Sequence, residues 1–251
     1  MVFSRAIPPS YIPRLECAPM AARLALALLL VAGLHSCIRY EYEHEVWLDV
    51  DGSGRVNVTG RPDLWAAFKG LATGGDEDAL RERARALFER SGLRVRKVDV
   101  THRGGHAYLF VGAAFDDVNK LAGTPAFPDL RIALRSEDGR LRLLGSWQRP
   151  AAPVPAAAAP AGGLVAVRFH LPSKVYQHEN AVNGVERGNI VGWRQDVAAA
   201  LHGTALTFGA VMDRRSIFYS TVGLFAGAVA IALALLGVMV YIVRKKGQRS
   251  G

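Results

Sequence analysis

The hydrophobic pattern of the chain changes at Cys37. Before it, Leu24 to Leu34 is an uninterrupted apolar run of 11 residues that follows the positive charge of Arg23. As a helix rising ~1.5 Å per residue, this run covers only about half of a ~30 Å hydrocarbon core. A short apolar run behind a basic residue is typical of a secretory signal, so residues 1–36 are predicted to be a signal peptide.

The end of this run carries a motif that predicts the cleavage site. Leu34-His35-Ser36-Cys37 resembles the bacterial lipobox, in which a Leu and a small residue precede a Cys whose thiol is acylated. Cleavage between Ser36 and Cys37, with lipidation of Cys37, is predicted; the alternative is an ordinary secretory signal that ends near a cysteine. Met20 to Arg23 resembles a signal n-region better than the proline-rich residues before it, so translation is predicted to start at Met20.

A second apolar segment, Ile217 to Val243, runs for 27 residues without a charge. As a helix of about 40 Å it spans a bilayer, so residues 217–243 are predicted to be a transmembrane helix. Aromatic and basic residues are predicted to anchor its two ends: Phe218, Tyr219, Tyr241, Arg244, Lys245 and Lys246. The basic excess after the helix predicts a cytoplasmic tail, residues 244–251, and a domain on the other side.

This topology predicts a protein of the bacterial cytoplasmic (inner) membrane whose domain faces the periplasm or the cell exterior. Gly223 and Gly227 form a GxxxG pattern through which two such helices could pair as a homodimer. Small residues are frequent in this segment, and chance is the simpler explanation of the spacing.

The formal charge of +9 follows the same division of the chain. Residues 38–213 hold 22 Lys and Arg against 21 Asp and Glu, so the basic excess lies in the membrane-flanking segments. No nucleic-acid partner is therefore expected. Cys17 and Cys37 are the cysteines of the chain, and cleavage before Cys37 would leave no internal disulfide.

Between the membrane segments, alternation of period two predicts strands. Residues 40–50 are apolar or aromatic on one face and acidic on the other, as in a half-buried strand. Residues 49–54 then predict a hairpin turn to a strand at 55–59. A calcium loop is disfavoured because Gly60 stands where a bidentate Glu is needed.

An amphipathic helix is predicted between Asp76, as its N-cap, and Gly92, as its stop. Its apolar face comprises Leu80, Ala84, Leu87 and Phe88. Its polar face contains two pairs spaced for salt bridges, Glu77 with Arg81 and Arg85 with Glu89. Such pairs are typical of a solvated face, although the arginines of this helix could also meet anionic headgroups.

Further hairpins are predicted at 93–101 with 107–115 and at 130–136 with 140–148, a short helix at 116–121, and strands at 165–171, 189–195 and 204–211. The Pro/Ala-rich loop 149–163 is either a domain boundary or an insertion in one sheet. The fold class is therefore α+β. A single extracytoplasmic domain, residues 37–213, of antiparallel β-hairpins packs with one long and one or two short helices, and a C-terminal transmembrane helix follows.

Several short motifs follow the predicted lipobox in order. They are the run Phe169 to Val175, Asn180, Asn183-Gly184, Gly188-Asn189 and Val191 to Trp193, ahead of the closing transmembrane helix. In this order they resemble the LppM-like bacterial membrane lipoproteins, over Cys37 to about Lys246. The resemblance implies an α+β domain at the cell envelope and binding of membrane lipids. It supplies no catalytic residue.

Motifs for catalysis or metal binding are not found in the sequence. The seven histidines form neither HExxH nor a Cys/His cluster, and no Walker loop, GxSxG elbow or GxGxxG turn occurs. No catalytic residue, metal site or cofactor is therefore predicted. An enzyme is the less favoured class, although a triad of scattered residues stays open.

Three functions remain as hypotheses. The first is a domain that binds membrane lipids or another amphiphile in a large apolar pocket between sheet and helix, with Trp65, Phe68, Leu87 and Phe88 as candidate lining. Ordinary core packing explains these four residues equally well. The second is a structural or scaffolding envelope protein that docks a protein partner. The third is an envelope hydrolase, which would show a polar pocket with converging titratable groups.

Overall fold

The computed structural model describes residues 40–149 and 162–247; the side chains of 217–220 and 241–247 lie outside the description. The predicted first hairpin is present, with β1 (Tyr40–Leu48) paired to β2 (Gly54–Gly60). Alternate residues of β1 from Tyr42 onward are buried, as the period-two pattern predicts. In the turn, Asp51 accepts a hydrogen bond from the Ser53 N–H at 2.9 Å, so its carboxylate organises the hairpin itself.

Helix α1 (Pro62–Lys69) was not predicted. Pro62 stands in its first turn, where the missing N–H costs no hydrogen bond. Gly70 ends it in the left-handed conformation, with φ +64°, and donates to the Ala66 carbonyl. Leu64, Trp65 and Phe68 form its buried face.

Helix α2 (Glu77–Glu89) is the predicted amphipathic helix. Asp76 caps it by accepting a hydrogen bond from the Ala79 N–H at 2.8 Å. Its four buried residues are the predicted apolar face, Leu80, Ala84, Leu87 and Phe88. The Glu77–Arg81 salt bridge is present at 2.8 Å. The pairing of Arg85 with Glu89 was wrong, because Arg85 instead lies 3.8 Å from Glu82, one turn earlier.

The second and third hairpins follow as predicted. They are β3 (Arg94–Arg103) with β4 (His106–Phe115), and β5 (Leu130–Glu137) with β6 (Arg140–Trp147). The third hairpin turns at Asp138 and Gly139, both at positive φ. A short 3₁₀ helix, Val118–Lys120, lies between the two hairpins, where a short helix was predicted.

After the Pro/Ala-rich loop, the elements are β7 (Leu164–His170), β8 (Val175–Glu179), β9 (Val185–Glu186), β10 (Ile190–Asp196), α3 (Val197–Leu201) and β11 (Leu206–Asp213). Strand β8 was not predicted, because four of its five residues are exposed and their types show no apolar alternation.

The strands form two sheets, which confirms the α+β class. The first has the order β3-β4-β2-β1-β7-β10-β9 and the second the order β5-β6-β11-β8. All of the pairs are antiparallel except β1 with β7, which run parallel with Val46 opposite Phe169. Along the chain, the Pro/Ala-rich loop follows β6 of the second sheet and precedes β7 of the first sheet, so it connects the two sheets.

The core lies against one face of the first sheet. Buried side chains of β1, β2, β4, β7 and β10 meet those of α1, α2 and the second sheet in one continuous apolar cluster. Its largest fully buried side chains include Trp65, Trp193, Tyr42, Phe88 and Phe169. The opposite face of the first sheet carries the acidic residues of β1.

Helix α4 (Ile217–Gly247) is the C-terminal apolar helix. Its segment Thr221–Val240 is long and apolar enough to cross a membrane and has a mean hydropathy of 2.5. Large apolar side chains along this segment are exposed, for example Leu224 at 78%. A bilayer is the solvent that suits such a surface.

Candidate functional site

Six polar or ionisable side chains from distant parts of the chain meet in the core. We call them the buried cluster: Tyr42, His44, Trp65, Lys69, Asp129 and Arg149. They come from the inner face of β1, from α1, from the residue before β5 and from the second residue after β6. None is more than 8% exposed. Buried ionisable groups are rare in cores, which makes this cluster the candidate functional site.

Lys69 is the last residue of α1, and its side chain enters an aromatic environment. Nζ donates a hydrogen bond to the Ala126 carbonyl and lies 4.4 Å from the centroid of the Phe127 ring. The rings of Trp65 and Phe88 are at 5.9 and 6.0 Å. Burial lowers the pKa of Lys69 to about 7, although the negative charge of Asp129 opposes this shift. Its ammonium group therefore loses its proton near neutral pH.

Asp129 and Arg149 complete the charged part of the cluster. Burial raises the pKa of Asp129 to about 6, while the positive charges of Lys69 and Arg149 lower it. Arg149 donates from Nε to the Ala67 carbonyl at 2.9 Å and from Nη1 to the Leu201 carbonyl at 3.0 Å. This guanidinium group therefore joins α1 to α3.

Three polar atoms of the cluster lack a hydrogen-bond partner within the described residues: Tyr42 Oη, His44 Nε2 and Trp65 Nε1. The Tyr42 ring centroid lies 5.2 Å from that of His44 and 5.9 Å from that of Trp65. Burial raises the pKa of the Tyr42 hydroxyl and lowers that of His44 well below its usual value, so both are neutral at physiological pH. An unpartnered buried polar group costs about 1–3 kcal/mol, so three together are unusual in a packed core.

An apolar crevice adjoins the cluster between the two sheets. Its cavity measures about 20 Å³, room for about one water molecule. His44 is the one polar side chain among its ten lining residues; the others are Val46, Val56, Val118, Leu121, Phe127, Leu130, Ile132, Val167 and Phe169. His44 and Phe127 are therefore shared by the crevice and the surroundings of Lys69.

The four residues predicted as candidate pocket lining, Trp65, Phe68, Leu87 and Phe88, lie in the packed core instead. Phe68 packs at 4.8 Å on Trp147 and at 5.0 Å on Tyr42, measured between ring centroids. None of the four lines the crevice. The aromatic rings pack together under α1, and the apolar crevice lies against β5.

A second group of titratable side chains lies on the opposite face of the first sheet. Glu45 Oε1 lies 2.8 Å from His170 Nε2 and accepts a hydrogen bond when that nitrogen carries a proton, and Arg168 lies 3.5 Å from Glu43 and 3.6 Å from Glu45. Burial raises the pKa of Glu43, with Arg168 opposing and Glu45 adding to the shift. The His170 ring stacks on Trp47 at 4.6 Å. These charges pair with one another on an open sheet face, which is typical of a structural network.

The described residues contain no group of three His, Cys, Asp or Glu side chains that could hold a metal ion. Ser36 and Cys37 lie outside the described residues, as do residues 248–251. Phe218, Tyr219, Tyr241, Arg244, Lys245 and Lys246 belong to α4, but their side chains are outside the described part. Gly223 and Gly227 lie on the exposed surface of α4, with open space around their Cα atoms.

The chain is similar in structure to the folded domain of the Mycobacterium tuberculosis LppM protein, solved by NMR. The similarity covers 69% of this chain and 90% of that domain, at 15% sequence identity and a TM-score of 0.39. At this level the likeness does not assign a function to the chain. No protein-family model matches the sequence, and no curated protein matches it significantly.

Proposed function

We propose that the folded part of this membrane-associated chain binds an anionic amphiphile, with the head group at the buried cluster and the apolar tail in the crevice. The observation that carries this proposal is the junction at His44. Its unpartnered Nε2 belongs to the cluster, while its ring lines an otherwise apolar crevice. An amphiphile is the ligand class that matches a polar end and an apolar wall in one continuous site.

The sign of the head-group charge follows from the polar atoms of the cluster. The Tyr42 hydroxyl and the Trp65 indole N–H are unpartnered donors, and Lys69 adds a positive charge when protonated. A bound carboxylate or phosphate would accept hydrogen bonds from these groups and raise the pKa of Lys69. Among the charged groups of the buried cluster, Asp129 is the one that would attract a cationic head group.

The tail requires the crevice to widen, since its present volume holds about one water molecule. Strand β5 is the element able to move, because it is an edge strand of the second sheet, paired only with β6. Its inward residues Leu130, Ile132 and Leu134 are only half-buried. Separation of β5 from the first sheet would open the crevice, and it would break the hydrogen bond that the Leu134 N–H donates to Asn119 Oδ1 at 2.7 Å.

We further propose that the chain is an envelope lipoprotein of the cytoplasmic membrane. This rests on the predicted signal and on lipidation of Cys37, together with the α4 helix and the basic residues after it. Intact mass spectrometry of the membrane-purified chain tests it. A mature chain that begins at a diacylglyceryl-modified Cys37 is expected, and an unmodified thiol would overturn the lipoprotein assignment.

Binding is tested with the full chain in nanodiscs of neutral phosphatidylcholine. The probes are decanoate and decyltrimethylammonium, which share chain length and differ in charge, and the readout is the fluorescence of the tryptophans. Trp65 and Trp147 lie beside Tyr42, so binding at the cluster should change their emission. Saturable binding of decanoate, with weaker binding of the cation, is expected; equal responses would overturn the proposed anionic specificity.

A matched pair of variants locates the site. Ile132→Trp places an indole in the crevice, and Ala133→Trp places the same indole on the other face of β5. Decanoate binding should be lost in Ile132→Trp and kept in Ala133→Trp. Loss in neither variant would show that decanoate binds outside the crevice.

A second candidate function, docking of a protein partner, is favoured by the packed state of the same core. The aromatic residues under α1 pack on one another, with Phe68 at 4.8 Å from Trp147 and 5.0 Å from Tyr42, and a filled core is what a scaffold requires. If decanoate does not bind, cross-linking of the full chain in native membranes becomes the next measurement. A reproducible cross-linked partner would then support the scaffold.

A further inference from the structure

The end of the second sheet that leads into α4 carries an exposed group of aromatic and basic side chains. We call this the membrane-proximal edge and define it as Arg140, Lys174, Tyr176, Asp213, Arg214 and Arg215. The β11–β6 ladder ends with Asp213 opposite Arg140, and the Asp213 N–H donates to the Lys174 carbonyl at 3.1 Å. The start of β6, the start of β8 and the end of β11 therefore lie together, a few residues before α4.

Chain connectivity fixes the distance of this edge from the membrane. Strand β11 ends at Asp213 and α4 begins at Ile217, so the connection is at most ~14 Å even when fully extended. The apolar span begins at Thr221, four helical residues later, a rise of about 6 Å. The headgroup zone of a bilayer is about as thick as this rise. When this span crosses a bilayer, the edge therefore lies within ~14 Å of the headgroup surface.

Tyr176 is the centre of the edge. Its side chain is exposed, and its hydroxyl donates to Asp213 Oδ2 at 3.2 Å. Arg140 Cζ lies 4.6 Å from the centroid of its ring and Lys174 Nζ lies 5.6 Å from it. A tyrosine with an apolar ring and a polar tip is the residue type that prefers the membrane interface.

The charge of the edge is positive. It contains four basic residues, Arg140, Lys174, Arg214 and Arg215, against one acidic residue, Asp213; Asp138 lies in the adjoining β5–β6 turn, and Glu137 lies 3.8 Å from Arg142. The Asp213 carboxylate is held by the Tyr176 hydroxyl and by the Arg215 N–H at 3.0 Å. These hydrogen bonds lower the pKa of Asp213, so it stays charged and orders the tyrosine. The basic side chains remain available to an external anion.

We propose that the membrane-proximal edge binds the headgroups of anionic lipids in the membrane that α4 spans, and thereby fixes the orientation of the folded part on that membrane. Each Lys or Arg near an anionic surface shifts the equilibrium toward the docked orientation roughly fivefold (about 1 kcal/mol). The site is separate from the buried cluster, so it does not depend on amphiphile binding there.

Hydrogen exchange of the full chain in nanodiscs tests the proposal. Because α4 holds the chain in every nanodisc, the readout is local protection of residues 137–140 and 174–179. Discs of phosphatidylcholine with phosphatidylglycerol should slow exchange in these segments several-fold relative to phosphatidylcholine alone, and high salt should remove the difference. Equal exchange in both kinds of disc would overturn the proposal.

Two double variants distinguish docking through this edge from nonspecific attraction between a basic protein and an anionic membrane. The double variant Arg140→Gln with Lys174→Gln should lose most of the added protection. The control, Arg96→Gln with Arg131→Gln, removes the same charge from exposed residues of β3 and β5 outside the edge. It should keep the protection; an equal loss in both double variants would show that net charge, not this edge, is responsible.

Discussion

The ring of Tyr42 occupies the space that a side chain on Gly60 would need. Gly60 lies directly opposite Tyr42 in the β1–β2 ladder. A Cβ atom built on Gly60 would come within 2.3 Å of Tyr42 Cδ2, far inside van der Waals contact. The glycine therefore allows the ring to lie flat over β2 and to hold its hydroxyl in the buried cluster.

Gly60→Ala should destabilise the fold by about 1–3 kcal/mol, because the added methyl group must displace a fully buried ring. Chemical unfolding of the full chain in detergent measures this. The matched control is Gly192→Ala in β10, where no atom lies within 4 Å of the new Cβ. Equal effects of the two substitutions would contradict the role given to the Tyr42 ring. Decanoate binding should also weaken in Gly60→Ala, since the Tyr42 hydroxyl moves.

The second prediction concerns the pH dependence of stability due to Lys69. The pKa of Lys69 is about 7 in the folded protein. In the unfolded chain it rises to the value of an ordinary lysine, about 10.4. Between pH 7 and about 10 the unfolded state therefore binds more protons than the folded state. The fold should therefore gain stability as pH rises through this window, by up to about 1.4 kcal/mol per pH unit. Lys69→Met should lack this gain.

The measurement is the free energy of unfolding of both proteins at several pH values from 7 to 9.5. The Lys97→Met variant is the control, because Lys97 is an exposed lysine that pairs with Asp99 at 3.1 Å. Lys97→Met should keep the wild-type profile. If the wild-type protein and Lys69→Met respond to pH in parallel, Lys69 is not held in the low-dielectric environment that the structure indicates.

A third prediction follows from the two carbonyl groups that Arg149 binds. Arg149→Met keeps the length of the side chain but leaves the Ala67 and Leu201 carbonyls without this donor and Asp129 without one of its compensating charges. The expected cost is about 3 kcal/mol in the free energy of unfolding. Arg131→Met, an exposed arginine on β5, should change it by less than about 0.5 kcal/mol. Similar values for the two variants would contradict the bridging role.

Much of the fold was predictable because its signals are local. The alternation in residues 40–50, the Asp76 cap and the Asp138-Gly139 turn each depend on a few neighbouring residues, and all three are present in the structure. Helix α1 was missed although Pro62 and Gly70 mark its two ends, with Leu64, Trp65 and Phe68 on one face. Those signals were sufficient to predict it.

The parallel pairing of β1 with β7 and the buried cluster could not be predicted in the same way. Val46 and Phe169 become neighbours only when the sheet forms, and the local pattern of neither segment indicates which strand it pairs with. Lys69 is likewise an ordinary lysine in sequence, in the last turn of a helix where a solvated cation is the usual expectation. Its burial depends on Phe127 and Asp129, which lie about sixty residues away in a loop.

The last prediction concerns His44. Its unpartnered Nε2 destabilises the fold but can form a hydrogen bond with a ligand. Because burial and the charge of Lys69 lower its pKa well below 6.5, the fold loses stability as pH falls below 6.5, where the unfolded chain binds a proton and the folded one does not. His44→Phe removes both this loss and the unpartnered atom. The variant should therefore gain stability relative to the wild-type protein as pH falls from 6.5 to 5, by up to about 1.4 kcal/mol per pH unit.

The same substitution should weaken decanoate binding, because it deletes the polar group at the junction of cluster and crevice. His106→Phe, at an exposed position on β4, is the control and should alter neither property. A stabilised His44→Phe variant with undiminished binding would separate the histidine from the ligand site. The combination of greater stability and weaker binding is the result that identifies His44 as a residue kept for function, since natural sequences keep destabilising polar groups where a ligand needs them.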